Sequence, residues 1–169
     1  RKDTLGGTVN LAKLPPLKER MEWIADYYRN AFDRYGVEVK LNTEVTADMV
    51  AEMEPDAVVV ATGSKSIFPE SIPGIKGDNV YTVEQALTGQ VDLSGKTVAM
   101  IGAGLTGIEA AELLASKGSK MYVVDMLDVP APNAYKTNVL DVMMRLNKFG
   151  TEMVLGHALQ EIKPEIGRA

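Results

Sequence analysis

Residues 97–107 read Thr97-Val98-Ala99-Met100-Ile101-Gly102-Ala103-Gly104-Leu105-Thr106-Gly107, and the fold expected for the whole chain follows from them. The apolar run 97–101 is typical of a strand covered on both faces. It leads directly into a G-x-G-x-x-G loop, and the residues after the loop predict a helix that stops at Gly118. A strand, a glycine loop and a helix in this order indicate the front of a dinucleotide-binding unit.

Each glycine of this loop has a physical task in such a unit. Gly102 permits the tight turn, Gly104 lets the backbone approach a pyrophosphate, and Gly107 lets the helix pack closely on the strand. The helix N-terminus then offers N–H groups to the phosphates. We therefore predict cofactor-binding residues at Gly102, Ala103, Gly104, Leu105, Thr106 and Gly107. The alternative is a glycine-rich turn that binds nothing.

Asp125 ends the next predicted strand, about 20 residues after the loop, where an acid that binds a ribose is expected. A carboxylate there accepts hydrogen bonds from ribose hydroxyls and repels a 2′-phosphate. None of the next three residues, 126–128, is basic. The sequence thus favours NADH over NADPH, and the alternative for Asp125 is a solvated strand end.

Strands and helices alternate along the rest of the chain. This alternation predicts an α/β protein with a Rossmann-like, doubly wound parallel sheet. Residues 63–77 carry several prolines and glycines and are the best linker candidate. Helices are predicted over 17–35, 48–53, from Thr82 with a capping box to Gln85, and 135–149, and strands over 37–41, 56–60, 120–125 and 151–155.

Composition excludes several classes of function. The chain has 169 residues, 46% of them hydrophobic, and a net charge of -5, so it offers no basic face for a nucleic acid. No apolar run approaches the about 20 residues that span a bilayer, and we expect a cytoplasmic protein without a membrane partner. Cysteine is absent, which excludes disulfides and thiol redox chemistry within these residues. No metal site is expected.

Leu5-Gly6-Gly7 and Ala61-Thr62-Gly63 are weak signals alone, since glycines mark many turns. Together with the later glycine loop, and in this order, they resemble the FAD/NAD(P)-binding flavoproteins with two dinucleotide domains. The resemblance covers essentially the whole chain. It implies that FAD contacts Gly6, Gly7, Ala61, Thr62 and Gly63, and that the backbone of Val45 contacts the adenine.

Finer details indicate a subfamily. Disulfide reductases place a redox cysteine just after the Gly-Gly turn, whereas residues 8–16 here contain none. The stretches Asn10-Leu11-Ala12, Pro15-Pro16 and 41–46 are similar to the C-terminal part of NADH:flavin oxidoreductases of the 2,4-dienoyl-CoA reductase and 2-enoate reductase type. In that family a preceding barrel carries FMN and an iron–sulfur cluster.

The chain starts at Arg1 without an initiator Met, and we interpret it as a fragment. Residues 1–75 are interpreted as the back half of an FAD domain with its linker, and 76–169 as the front half of an NAD domain whose last strand is missing. The rest of the parent polypeptide is then a partner, and the fragment alone is expected to be inactive.

The resulting hypothesis is a module that passes a hydride from NADH to FAD, with onward transfer to an enoate or enoyl substrate. Two alternatives are a reductase that feeds a separate electron carrier and a non-catalytic sensor of NADH. No side chain has a convincing acid–base role, so no catalytic residue is predicted. We expect Glu109 to be a solvated acid in the first turn of its helix; the alternative, which the resemblance implies, is that it approaches the nicotinamide end. Trp23, Tyr27 and Tyr28 are expected to pack, and His157 to be structural or exposed.

Overall fold

The computed structural model describes residues 2–164 of the chain. Within them it has two compact units, and each is described by itself. The first contains residues up to 13 together with 18–65, and the second contains residues 14–17 together with those from 66 onward.

The first unit is built from helices. α1 spans Val9–Ala12, a 3-10 turn spans Glu19–Met21, α2 spans Glu22–Tyr35 and α3 spans Ala47–Met53. α2 begins later than predicted, because Leu17 has a left-handed φ of 65° that cannot belong to a helix. It ends as predicted at Gly36, whose φ of 63° lies in the left-handed region that glycine adopts without a steric penalty.

The predictions of two strands in this unit are wrong. Within the part of the chain that the structure describes, neither 37–41 nor 56–60 forms a strand. Val58, Val59 and Val60 are 56%, 89% and 79% exposed. A strand exists through hydrogen bonds to a neighbouring strand, and an apolar one is buried only when layers cover both faces. The described residues of this unit supply neither.

The aromatic side chains of α2 do not pack as expected. Trp23 and Tyr27 are 64% and 66% exposed, and Tyr28 is 49% exposed. The Arg20 guanidinium lies 5.5 Å from the centre of the Trp23 ring, and Tyr27 meets Tyr28 edge-on. Helical spacing predicts which residues share a face, but it does not supply a partner for that face.

The second unit contains the remaining elements. In chain order they are α4 (Val83–Thr88), β1 (Thr97–Ile101), α5 (Leu105–Ser116), β2 (Lys120–Val124), α6 (Lys136–Lys148) and β3 (Glu152–Val154). The predicted capping box is confirmed: the Gln85 N–H donates to the Thr82 hydroxyl at 3.2 Å and the Thr82 N–H donates to the Gln85 side chain at 2.8 Å.

The three strands form a parallel sheet in the order β1-β2-β3. Thr97 pairs with Lys120 and Ile101 with Val124, and then Val124 pairs with Val154. The predicted α/β fold with a Rossmann-like parallel sheet is therefore confirmed. Because all strands run the same way, the loops after β1, β2 and β3 meet at one edge of the sheet.

α5 lies at the centre of the core. Ile108, Ala110 and Ala111 are fully buried, and Met121, Val123 and Leu146 pack in the same cluster. Small alanines along α5 allow its backbone to approach β1, β2 and α6 closely. The helix that follows the glycine loop is thus held on several sides.

A buried ion pair joins α5 to α6. The Glu112 side chain is 2% exposed, and both of its oxygens accept from the Arg145 guanidinium, the Nη2–Oε2 distance being 3.1 Å. Nη1 of Arg145 also binds Asp141. These bonds, that to Glu112 first, raise the pKa of Arg145 above its ordinary value, so the cation is permanent.

Breaking this pair should destabilise the second unit. Arg145→Met leaves the buried Glu112 carboxylate without its cation, and we expect a loss of about 3 kcal/mol in the free energy of unfolding, measured by urea denaturation. The double variant Glu112→Leu/Arg145→Met buries apolar groups of similar size instead, and it should unfold near the wild-type urea concentration.

Lys76→Met is the matched control, because the Lys76–Glu70 pair is 72% and 77% exposed. It should cost less than about 1 kcal/mol. An equal loss in Lys76→Met and Arg145→Met would contradict the assignment of stability to the buried pair.

Candidate functional site

The loop between β1 and α5 has a geometry that only glycine permits at two of its positions. Gly102 has a φ of 105°, and its N–H donates to the Val124 carbonyl at 2.8 Å. At Gly107 a Cβ would lie 2.0 Å from the Gly102 carbonyl oxygen, so any side chain would separate the helix from the loop. These are the tasks that the sequence assigns to the two glycines.

Gly104 is different, because the protein itself leaves room for a side chain. Its φ is -63°, and a Cβ there would meet nothing within 4 Å. It is also the N-cap of α5, and it makes no side-chain cap hydrogen bond. The first N–H groups of an α-helix have no partner inside the helix and attract anions. The protein therefore leaves open space beside a helix start that no side chain caps.

Asp125 lies directly against this loop. Its Oδ2 accepts from the Ala103 N–H at 2.6 Å, and its Oδ1 accepts from the Leu127 N–H at 2.9 Å. The bonds from Leu127 and Ala103 lower the pKa of the Asp125 carboxyl below its ordinary value, so it is ionised at neutral pH. Each carboxylate oxygen can accept a further hydrogen bond, which leaves room for one from a ribose hydroxyl. The contact with a ribose stays a prediction.

The segment after β2 holds the loop a second time. The Ala131 N–H donates to the Ala103 carbonyl at 2.8 Å, and Ala103 is fully buried. This contact is not predictable from the sequence, since nothing around Ala131 marks a bond to a residue 28 positions earlier. The bond from the Ala103 N–H to Asp125 was not predicted either, although the spacing between the loop and the acid was a usable signal.

The third loop joins the same edge of the sheet. The Gly156 N–H donates to the Leu127 carbonyl, and the His157 N–H donates to the Asp125 carbonyl, both at 2.9 Å. The His157 ring is exposed, with Nδ1 2.7 Å from the Leu155 carbonyl oxygen, in line with the structural or exposed role predicted for it. Backbone hydrogen bonds therefore connect all three loops that follow the strands.

The prediction that Glu109, on α5, is a solvated acid is wrong. Its exposed fraction is 8%, because the helix is covered on several sides rather than on one stripe. A carboxylate two residues after Gly107 therefore belongs to the interior next to the loop.

The first unit places part of its predicted set together. Gly6 and Gly7 form a turn with φ values of 106° and 48°, and a Cβ on Gly63 would lie 3.9 Å from the Thr8 hydroxyl. The end of the Ala61-Thr62-Gly63 run thus lies beside the Gly-Gly turn. Val45 takes no part in these contacts, and its side chain is 66% exposed just before α3.

Residues 2–164 contain no group of three or more His, Asp or Glu side chains that could hold a metal ion. None of the helices over that range has both the length and the apolar character to cross a membrane.

Comparison with known proteins shows the family. Residues 17–167 match the model of the pyridine nucleotide-disulphide oxidoreductase family. The NADH oxidase of Thermoanaerobacter brockii is 33% identical over 97% of this chain and 26% of its own length. The cinnamate reductase of Clostridium sporogenes is 30% identical over 86% of this chain and 22% of its own length.

A solved structure agrees in fold. The complex of 2-naphthoyl-CoA reductase with 2-naphthoyl-CoA superimposes with a TM-score of 0.86 at 30% identity, covering 99% of this chain and 26% of that one. The chain spans about a quarter of the length of these relatives. It belongs to the pyridine nucleotide-disulphide oxidoreductase family, in agreement with the FAD/NAD(P)-binding two-dinucleotide flavoproteins that its motifs resemble.

Proposed function

We propose that this chain binds NADH on the loop between β1 and α5 and contacts FAD through its first unit, as part of an NADH:flavin oxidoreductase. The observation that carries the proposal is the loop itself. Ala103 is fixed by Asp125, α5 starts uncapped at Gly104, and the space over Gly104 is open. When bound, NADH supplies a hydride and FAD accepts it.

The residues of the second unit bind and orient the nucleotide in this proposal. Gly104 and the first turn of α5, which contains Leu105, Thr106 and Gly107, bring backbone N–H groups to the pyrophosphate, and Gly102 makes the tight turn that leads to them. Asp125 keeps the loop in place through Ala103 and accepts a hydrogen bond from a ribose hydroxyl.

The choice of NADH over NADPH rests on charge. The Asp125 carboxylate is ionised at neutral pH, because its pKa is lowered by backbone hydrogen bonds. Met126 and Leu127 are 70% and 47% exposed beside it, and Asp128 adds a second negative charge. A 2′-phosphate would meet repulsion and no cation among these four residues.

The first unit is assigned to FAD. The Gly6-Gly7 turn and the adjoining Gly63 bring backbone without side chains together, and Ala61, Thr62 and Val45 complete the proposed contacts. We assign residues 1–75 to the FAD domain with its linker and 76–169 to the NAD domain, although residues 14–17 and 66–75 belong to the second compact unit.

The onward acceptor is proposed to be an enoate or enoyl thioester. Support comes from two relatives, which are named for their substrates. Cinnamate is an unsaturated carboxylic acid, and 2-naphthoyl-CoA is an aromatic acyl thioester. In the resembled family an FMN and an iron–sulfur cluster lie in a preceding barrel, and this chain, which has no cysteine, would not supply thiolate ligands to the cluster.

A second candidate differs only in the acceptor. The NADH oxidase of Thermoanaerobacter brockii, 33% identical, favours a reductase whose electrons leave to another oxidant or carrier. Every binding residue named above would keep its role in that case.

Two alanine substitutions separate binding from folding. In Gly104→Ala the new methyl group meets no protein atom but occupies the place of the pyrophosphate, so the Kd for NADH should rise about tenfold or more. Isothermal titration gives the Kd. The urea midpoint of this variant should match that of the wild type.

Gly107→Ala is the matched substitution, since its methyl group collides with the Gly102 carbonyl. It should lower the free energy of unfolding by about 1–3 kcal/mol. Unchanged NADH binding in Gly104→Ala would overturn the assignment of the loop to the pyrophosphate.

Asp125→Asn removes the charge and one acceptor from the loop. Because an amide has one oxygen, either Ala103 or Leu127 loses its partner, and we expect the Kd for NADH to rise about tenfold. Asp128→Asn is the control, and its Kd should stay close to wild type.

The pH dependence of stability tests the same carboxylate. A pKa lowered in the folded state stabilises the fold above the ordinary value of about 3.9, and this stabilisation is lost as the pH falls through the folded value. The difference in urea midpoint between wild type and Asp125→Asn should therefore be smaller at pH 3 than at pH 7. A constant difference would show that the charge of Asp125 is not involved.

The acceptor is identified by anaerobic oxidation of NADH in the intact protein. Cinnamate should accelerate the oxidation, whereas its saturated analogue 3-phenylpropanoate should not. Oxidation that proceeds with a dye or oxygen and ignores cinnamate would favour the second candidate. NADH binding without any oxidation would favour the sensor.

A further inference from the structure

Ala131 has an unusual backbone conformation close to the glycine loop. Its φ is 42°, although it carries a side chain and is followed by Pro132. Left-handed conformations cost free energy for any residue with a Cβ, and a following proline further restricts the allowed region. Ala131 is also buried, with an exposed fraction of 6%. A strained residue persists only where its surroundings hold it.

The strained conformation turns the Ala131 N–H toward the loop. It donates to the Ala103 carbonyl at 2.8 Å, while the Ala103 N–H donates to Asp125 at 2.6 Å. Both the N–H and the carbonyl of the buried Ala103 are therefore bound by residues of the segment that follows β2. Asp125 fixes the peptide before Ala103, and Ala131 fixes the peptide after it.

The second of these peptides contains the Gly104 N–H. In a trans peptide the carbonyl and the N–H of one plane point in opposite directions. With the Ala103 carbonyl bound to Ala131 in the interior, the Gly104 N–H points away from the interior, and Gly104 is exposed. The strained residue thus sets the direction of a donor at the start of α5.

We propose that Ala131 is a positioning residue for the nucleotide, acting through its backbone N–H on the peptide that carries the Gly104 N–H to the pyrophosphate. The proposal rests on the proposed function, since it needs a nucleotide on this loop. It requires a left-handed conformation at position 131 and not a particular side chain.

Two substitutions at this position test the requirement. Glycine adopts positive φ without cost, so Ala131→Gly keeps the N–H in place. Valine is β-branched and strongly disfavours positive φ, so Ala131→Val turns the N–H away from Ala103. In the intact protein, Ala131→Val should raise the KM for NADH about tenfold, with kcat at saturating NADH unchanged.

ADP-ribose serves as the second ligand, since it shares the pyrophosphate and lacks the nicotinamide. Its inhibition constant against NADH should rise by the same factor in Ala131→Val. Ala131→Gly should match wild type for both ligands. A merely structural role would lower the melting temperature of Ala131→Val and leave KM and the inhibition constant unchanged, and that result would overturn the proposal.

Hydrogen exchange covers the case in which Ala131→Val does not fold. In the wild-type protein, the Ala131 amide should exchange at least about fivefold more slowly when ADP-ribose is bound, because a filled site holds the loop closed. Equal exchange with and without ADP-ribose would overturn the proposal. If wild type binds neither NADH nor ADP-ribose, the proposed function itself fails, and the two failures are thereby distinguished.

Discussion

The fixed position of one buried peptide segment underlies the candidate site. Ala103 is inaccessible to solvent, and its N–H and carbonyl bind Asp125 and Ala131 respectively. This arrangement needs β1 and β2 in the parallel register that pairs Ile101 with Val124, since only then do the two loops meet. It also needs glycine at 107, where a side chain would push α5 off the loop. The position of Ala103 therefore depends on the sheet register, the packing of α5 and the geometry of the loop together.

The orientation of α5 is maintained by contacts along the helix beyond its glycine loop. Its alanines pack in the core, and Glu112 is bound by Arg145 two turns or so along the helix from the loop. An ion pair at this depth adds little net stability compared with apolar packing, but it penalises any rotation of α5 against α6 that would separate the charges. The start of the helix, where anions are attracted, thus depends on contacts at its middle.

Sequence reasoning succeeded where the signal is local. The turn at 102–107 and the capping box at Thr82 are marked by residues a few positions apart, and both are present. The strands of the second unit were predicted correctly because their pairing partners also lie within the chain. It failed where the outcome depends on a distant partner. Residues 56–60 have the composition of a strand but nothing beside them to pair with in residues 2–164. The burial of Glu109 and the bond from Ala131 to Ala103 likewise come from tertiary packing, which a periodic pattern does not record.

The valine run 58–60 is an exposed apolar segment without a strand partner in residues 2–164. Its β-branched side chains are more than half exposed, it carries no charge, and its backbone is not part of any sheet. Such a segment is a template for edge-to-edge association between copies of a chain, because each copy offers the hydrogen-bonding row that the other lacks. A strand laid along this run would supply both the hydrogen bonds and the burial that it lacks within residues 2–164.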